Sequence, residues 1–320
     1  MKELNNNIDQ IISCDNLEKT LDHYIDTLGY TLEYIFPADS PRTAIVFNNE
    51  SRIQLGTDEI LDYHVPAVQQ SFVHTKGNSS NWGIGRAGMQ YRDLIPDRQG
   101  GRFIASHIRV PEGGPVPDYV HYHRIRFQMI YIYKGWVQVV YEDQGPPFIM
   151  KAGDCVLQPP EIRHRVLECS PGFEVIEISC PAEHMTYAEH DIELPTTGLQ
   201  PERDFNGQRY VLHVAENANW QPWHISGFDY RDIGITAATA GLASVQVARI
   251  KDVVATVTYN HDGEFLFMFV LNGNCALNCN GEHTLAPGDA IVIPAQTNYS
   301  FDQCADNLEM LEVVLPARLP

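Results

Sequence analysis

The residues of this chain best suited to chemistry are three histidines. His121 and His123 are separated by one residue, and His164 follows about forty residues later, after Gln128, Gly135, Gly153-Asp154 and Pro159. In an extended strand, residues i and i+2 lie on one face with Cα atoms roughly 6.6 Å apart. Imidazole nitrogens from such a pair can converge on one ion at about 2.0–2.1 Å. His164 joins them only if its strand runs beside theirs. Three imidazoles turned into one small cavity serve no apolar packing, because each needs a polar partner once buried. The chemistry they suggest is metal binding. A neutral three-nitrogen set suits Fe(II), Zn, Ni, Mn or Cu, so ligand type alone leaves the metal open.

The elements that must position these residues emerge from an internal repeat. Tyr91-Arg92-Asp93-Leu94 returns as Tyr230-Arg231-Asp232-Ile233, Ala105-Ser106 as Ala243-Ser244, and Gly135 as Gly273. Gly153-Asp154 and Pro159 return as Gly288-Asp289 and Pro294. Cys169, Glu174, Glu177 and Pro181-Ala182 return as Cys304, Glu309, Glu312 and Pro316-Ala317. The order is kept at an offset of about 135 to 139 residues. Residues 85–185 and 224–320 therefore read as two copies of one module. Each copy consists of short strand-like runs separated by Gly, Pro and Asp turns, such as 103–110, 128–133, 137–141, 155–158 and 175–179 in the first copy. Short antiparallel strands at regular spacing imply a sandwich or barrel.

The runs His121-x-His123-x4-Gln128-x6-Gly135 and Gly153-x5-Pro159-x4-His164 resemble the two motifs of the cupin superfamily, written G-x5-H-x-H-x3,4-E-x6-G and G-x5-P-x-G-x2-H-x3-N. The resemblance covers about 200 of the 320 residues. It implies a jelly-roll β-barrel, duplicated as a bicupin, with His121, His123 and His164 as metal ligands. Three positions depart from the motifs. Gln128 stands where glutamate is usual, Glu161 replaces a glycine, and Glu168 replaces the final Asn. The glutamine leaves a neutral three-histidine site; it can serve as a fourth ligand, bond a metal-bound water, or contact substrate. Similar three-histidine cupins cleave diketones, gentisate or related chelating substrates, or oxidise thiols, with a non-haem Fe(II). The resemblance thus implies a divalent metal, Fe(II) first, and a dioxygenase acting on an aromatic acid, a diketone or a similar oxygen-rich anion. A metal-dependent isomerase, lyase or hydrolase working without O2 stays open, as does a bicupin that only binds a small molecule. In the second copy the matching positions hold Tyr259, His261, Leu266 and Tyr299. That copy is expected to be structural.

The N-terminal fifth differs. Residues 8–14 read as a strand, and Asp15 with Glu18 as a capping box. Leu17, Leu21, Tyr24, Ile25 and Leu28 fall on one helical face, Gly29 sits at the C-terminal cap, and strands follow near 30–35, 43–47 and 52–54. This is a βαβββ unit. Its segment LEKTLDHYIDTLGY resembles the helix-to-strand segment of the glyoxalase/vicinal-oxygen-chelate superfamily, in which two such units close a cup around a metal. The first and last strands here offer Asp9, Gln10 and Gln54 rather than His or Glu, so no metal is expected in this unit. A single unit leaves a half-closed sheet, which predicts a homodimer. The expected organisation is a mainly β chain: a glyoxalase-like βαβββ unit over 1–58, a linker over 59–84, the metal-binding cupin over 85–185, a connector over 186–223, and the second cupin over 224–320.

Other residues near the site follow from position and charge. Arg102, Arg109, Arg124, Arg126, Arg163 and Arg165 crowd the first copy of a chain whose net charge is -19. Strand alternation turns Arg124 and Arg126 away from the histidine face. Arg102 and Arg163 are the candidates for holding a substrate carboxylate, with Tyr131 and His107 as further candidate contacts. His184, His190 and His213 read as surface or connector residues. No catalytic side chain beyond the ligands can be named. With 41 acidic against 22 basic residues, the chain is a poor nucleic-acid or anionic-membrane binder. It has no run of about 18 apolar residues and no apolar leader. Seven cysteines without a C-x-x-C pair fit a reducing cytoplasm.

Overall fold

The run FQMIYIYK at Phe127–Lys134 is a single strand that meets a different core on each face. Gln128, Ile130 and Ile132 point into one barrel. Phe127, Met129 and Tyr131 point out of it, into an apolar layer shared with a second barrel. A strand covered on both faces reads as a continuous apolar run, which is why alternation is faint here. The computed structural model describes residues 7–57, 63–79, 81–85, 88–252 and 257–317. Residues 59–62 and 80 of the expected linker lie outside the described residues. The fold is mainly β, with two tandem jelly-roll barrels behind a small α+β unit. None of the described helices is long and apolar enough to cross a membrane.

One sheet of the first barrel runs, in order, Val211–His213, Cys155–Leu157, Phe127–Lys134, Phe173–Cys180, Ile104–Val110, Gln90–Asp93 and Gly83–Ile84. The facing sheet carries Thr186–Ala188, His121–His123, His164–Cys169, Trp136–Tyr141 and Phe148–Lys151. Ile108, Ile132, Val137, Val139 and Met150 fill part of the space between them. The second barrel opposes a seven-stranded sheet to the three strands Glu282–Leu285, Cys275–Asn278 and Ser300–Asp302. The barrels pack through their seven-stranded sheets, where Phe103 stacks on Phe265 at a ring separation of 4.1 Å.

The segments read as linker and connector each contain a strand exchanged between the barrels. Val73–Thr75, which precedes the first barrel in sequence, pairs with Ala290–Val292 of the second. Val211–His213, which follows the first barrel, pairs with its Cys155–Leu157. The repeated Gly-Asp turns and Tyr-Arg-Asp runs are the fastenings of this exchange. Asp154 Oδ1 accepts from the Ala215 amide at 2.8 Å, and Asp289 Oδ1 accepts from the Gly77 amide at 2.6 Å. Each Asp also closes its own turn, through Lys151 N and Ala286 N. Gly153 and Gly288 have φ of +95° and +86°. A Cβ on Gly153 would lie 2.9 Å from the Ala215 Cβ, and one on Gly288 would lie 3.2 Å from the Gly77 Cα. Across each turn reaches an arginine of the other copy. Arg92 donates to the Gly288 carbonyl, the Lys76 carbonyl and His107 Nδ1; Arg231 donates to the Gly153 carbonyl, the Tyr131 hydroxyl and His213 Nε2.

The N-terminal strands are ordered Gln10–Ile12, Arg52–Leu55, Thr43–Phe47 and Thr31–Phe36, the first pair parallel. Two details differ from the sequence expectation. The N-cap is Asn16, whose Oδ1 accepts from Lys19 N at 2.9 Å, not Asp15. The helix Leu17–Asp22 continues as a π-turn over His23–Thr27, closed by Leu28 N donating to His23 O. The wider turn rotates the apolar stripe. Leu17, Leu21 and Tyr24 stay on the core, while Ile25 and Leu28 turn toward solvent.

Replacing the buried Arg231 with Met leaves three acceptors without a donor between the barrels. We expect Arg231→Met to cost about 2–4 kcal/mol, measured as a lowered urea midpoint. An unchanged midpoint would contradict the fastening role.

Candidate metal centre

The strand His121–His123 is three residues long and hydrogen-bonded on both sides. His121 pairs directly with His164, and His121 to His123 pair with Ala188 to Thr186. Alternation sends His121 and His123 inward, and the antiparallel register sets His164 beside them. All three are buried, and one ligand atom from each lies within 4.8 Å of the others.

Partners on the far side of each ring fix its orientation. His121 Nδ1 lies 2.8 Å from the Tyr119 carbonyl, and His164 Nδ1 lies 3.0 Å from the Ile162 carbonyl. A carbonyl only accepts, so both rings carry the proton on Nδ1 and the lone pair on Nε2. His123 Nδ1 lies 3.1 Å from the Thr186 hydroxyl. Asp118 ties the approach to the strand. Its Oδ2 accepts from Val166 N at 2.9 Å, while its Oδ1 accepts from Tyr119 N and lies 3.5 Å from His121 Nδ1. The Tyr141 ring stacks on His164 and its hydroxyl accepts from Gln158 Nε2. Neutral imidazoles held through Nδ1 are the arrangement in which a metal-binding histidine is found. The donor set therefore fits a divalent metal.

The cluster opens on a cavity of about 120 Å³ between the two sheets of the first barrel. Its walls are largely Ile, Val and Met, and besides the three histidines its polar groups include Gln128, Gln158, Ser106, Glu177, Asp39, Asp118 and His184. Gln128 is buried, and its Nε2 donates to Glu177 Oε1 at 2.8 Å. Glu177 was legible in the sequence only as a landmark of the repeat; the pairing of its strand with Phe127–Lys134 sets it beside Gln128. Asp39 comes from the N-terminal unit, beyond anything spacing within the cupin motifs could reveal. His184, expected at the surface, is buried next to His123 with ring centroids 5.2 Å apart. Burial pushes its pKa down to about 4, so it is neutral.

The four residues named as substrate contacts lie elsewhere. Tyr131 and His107 alternate outward from Ile130 and Ser106, toward the second barrel, where they meet Arg231 and Arg92. His107 also donates to Glu174 at 2.7 Å. Arg102 bonds Glu264 Oε2 and the Pro66 carbonyl. Arg163 bonds Glu189 and the Glu161 carbonyl and lies over the Tyr122 ring. Acidic partners claimed these arginines, and among the described residues lining the cavity there is no lysine or arginine.

In the second copy the backbone keeps the pattern. Tyr259 bridges Tyr299 as His121 pairs with His164, and Gln296 N donates to His261 O as Glu161 N does to His123 O. The side chains do not. Leu266, Met268, Tyr299 and Phe301 pack the interior, and His261 Nε2 lies 2.8 Å from the Ile293 carbonyl. Among the described residues, the three histidines of the first barrel form the one His/Cys/Asp/Glu group spaced for a metal.

Neither a family model nor a curated protein matches this sequence. Solved structures do resemble the fold. A salicylate 1,2-dioxygenase from Pseudaminobacter salicylatoxidans superposes at a TM-score of 0.58 and 17% identity, covering 79% of this chain and 86% of its own. An oxalate decarboxylase from Lactobacillus farciminis gives 0.56 and 12%, covering 80% and 88%. The protein Ylba from E. coli gives 0.56 and 10%, covering 81% and 96%. At these identities the likeness establishes the fold, a tandem cupin arrangement.

Glu161 shows why the cupin pattern has glycine at its position. Its φ is +63°, in the left-handed region, and Gln296 repeats this at +60° in the second copy. A residue with a Cβ is strained there. We expect Glu161→Gly to stabilise the protein by up to about 1 kcal/mol, read as a higher urea midpoint. A loss of stability would show that the Glu161 side chain, 3.8 Å from Arg124, matters more than the backbone.

Proposed function

We propose that this chain is a metal-dependent bicupin, a non-haem Fe(II) dioxygenase acting on a small chelating substrate. The observation that carries the reading is the buried cluster His121, His123 and His164, with two of its rings fixed to present Nε2. An Fe(II) ion held by these rings would supply Lewis acidity, a template for a chelator, and redox chemistry toward O2 that no side chain here offers. Both atoms of O2 entering one substrate requires no external reductant.

The chain's own residues define what such a substrate is. A cavity of about 120 Å³ is smaller than the roughly 150 Å³ that holds benzene in an engineered core. With no lysine or arginine on its described walls and Asp39 and Glu177 present, the cavity favours a compact chelator carrying at most one negative charge. Of the aromatic acids, diketones and similar oxygen-rich anions, diketone-sized molecules fit best. The apolar walls exclude water, and Gln128, oriented by Glu177, supplies a fourth contact to metal or substrate. Zn, Ni, Mn or Cu suit the same donors.

One observation favours a second reading, an isomerase, lyase or hydrolase that does not use O2. Glu177 places a carboxylate in the cavity, held through Oε1 by Gln128 and Ser179, where it can take a proton from a chelated carbonyl compound. Anaerobic metal analysis followed by oxygen uptake with diketones, phenolic acids and thiols separates the readings. We expect about one iron per chain, uptake that depends on substrate, and loss of both in His164→Ala. Turnover without oxygen uptake would favour the second reading. Protein that binds no metal would contradict both and leave a small-molecule-binding bicupin.

The glyoxalase-like reading of the N-terminal unit carries a proposal about assembly in a cytoplasmic setting, where the seven cysteines stay unpaired. Gln10–Ile12 is an edge strand with Ile11 exposed, and between the helix and the strand Thr31–Phe36 an apolar cleft of about 580 Å³ is lined by Leu17, Leu21, Ile25, Leu32 and Ile35. A second copy of the unit pairing on Gln10–Ile12 would extend the sheet from this edge, the opposite edge being joined to Thr186–Ala188 of the first barrel. Light scattering at micromolar concentration is expected to give the mass of a dimer; the mass of a monomer would contradict it.

A further inference from the structure

Among the described residues, three buried acceptor atoms around the metal cavity have no hydrogen-bond donor. They are Gln128 Oε1, His184 Nε2 and Asp39 Oδ1. What the other end of each side chain does fixes these roles. Gln128 Nε2 donates to Glu177, which turns the amide oxygen the opposite way. His184 Nδ1 lies 3.2 Å from the Pro181 carbonyl, so the proton sits on Nδ1 and the lone pair on Nε2. Asp39 Oδ2 accepts from Arg98 at 2.7 Å. Buried polar atoms in folded proteins nearly always have partners, and a group of unmatched acceptors around one cavity points to what fills it.

His184 is the best placed of the three. It is only 5% exposed, its ring lies against the ligand His123, and it lines both the metal cavity and a second cavity of about 340 Å³. The second cavity is walled by Phe36 of the N-terminal unit, Pro66, Arg98 and Met185, so His184 stands where the two spaces meet.

We propose that His184 sets the specificity of the site by accepting, through Nε2, a hydrogen bond from an O–H or N–H of the ligand held on the metal. The inference rests on the metal-site reading above and deepens it. The ligand class is an oxygen chelator that keeps a donor group next to its metal-binding atoms. Gln128 Oε1 and Asp39 Oδ1 are further acceptors for a ligand with more than one donor. A site with buried acceptors rejects an analogue lacking the matching donor, because the acceptor is then left unpaired.

The test uses the full chain loaded with Co(II), whose visible absorption reports ligand binding without turnover. Two probes of equal charge are compared: acetohydroxamate, which keeps an N–H when it chelates, and N-methylacetohydroxamate, which does not. Wild-type protein is expected to bind acetohydroxamate about tenfold more tightly, the worth of one hydrogen bond. His184→Phe should erase that preference at unchanged cobalt stoichiometry, and His184→Asn, which keeps an acceptor, should restore part of it. A merely steric penalty on the methyl group would persist in His184→Phe and would overturn the inference. So would a wild-type protein that binds both probes equally, a measurement that needs no variant to fold. Cobalt uptake with no preference refutes the role of His184 alone, whereas failure to take up cobalt refutes the metal reading and this inference with it.

Discussion

The site depends on the pairing of one three-residue strand. His121–His123 is too short to hold itself, and it is fixed from both sides. On one side His121 faces His164, so a single antiparallel register brings the third ring to the first two. On the other, Thr186–Ala188 pairs with all three residues, and Thr186 also bonds the His123 ring. Thr186–Ala188 then pairs with Thr31–Phe36, so the N-terminal sheet and the histidine sheet are one continuous sheet. The N-terminal unit is thus part of the scaffold of the centre. It also contributes Asp39 to the cavity wall.

The two barrels show what duplication preserved and what it released. Their exchange strands, Gly-Asp turns and reaching arginines are matched pair for pair, because each fastening holds the other copy as well as its own. The interiors carried no such mutual constraint. The second copy kept the bridge and the left-handed turn residue of the first but filled its interior with Leu266, Met268, Tyr299 and Phe301. The first kept histidines, a cavity and unmatched acceptors. Packing alone would have favoured the apolar solution in both copies.

Much of this was legible in the sequence. The duplication, the strand positions and the three histidines follow from period and spacing, since a strand's two-residue alternation fixes which side chains share a face. The same rule, applied one step further, would have excluded Tyr131, which alternates with Gln128 and Ile130, and His107, which alternates with Ser106. Arg102 and Arg163 were read from charge, and charge does not reveal that Glu264 and Glu189 stand opposite. His184 and Asp39 were not legible for a different reason. They approach the cavity from the loop between Phe173–Cys180 and Thr186–Ala188 and from another unit, and no local pattern encodes that convergence. The exchange itself, and the strand Val73–Thr75, were not legible because three residues are too few to show alternation.

The proposed activity rests on His121, His123 and His164 together binding one divalent metal as a neutral three-nitrogen set. X-ray absorption at the metal edge of the zinc-loaded protein tests it most directly. The expected first shell contains three imidazoles with nitrogen at about 2.0–2.1 Å and shows the multiple-scattering signature of histidine rings. A shell with sulfur ligands, or with fewer than three imidazoles, would contradict it.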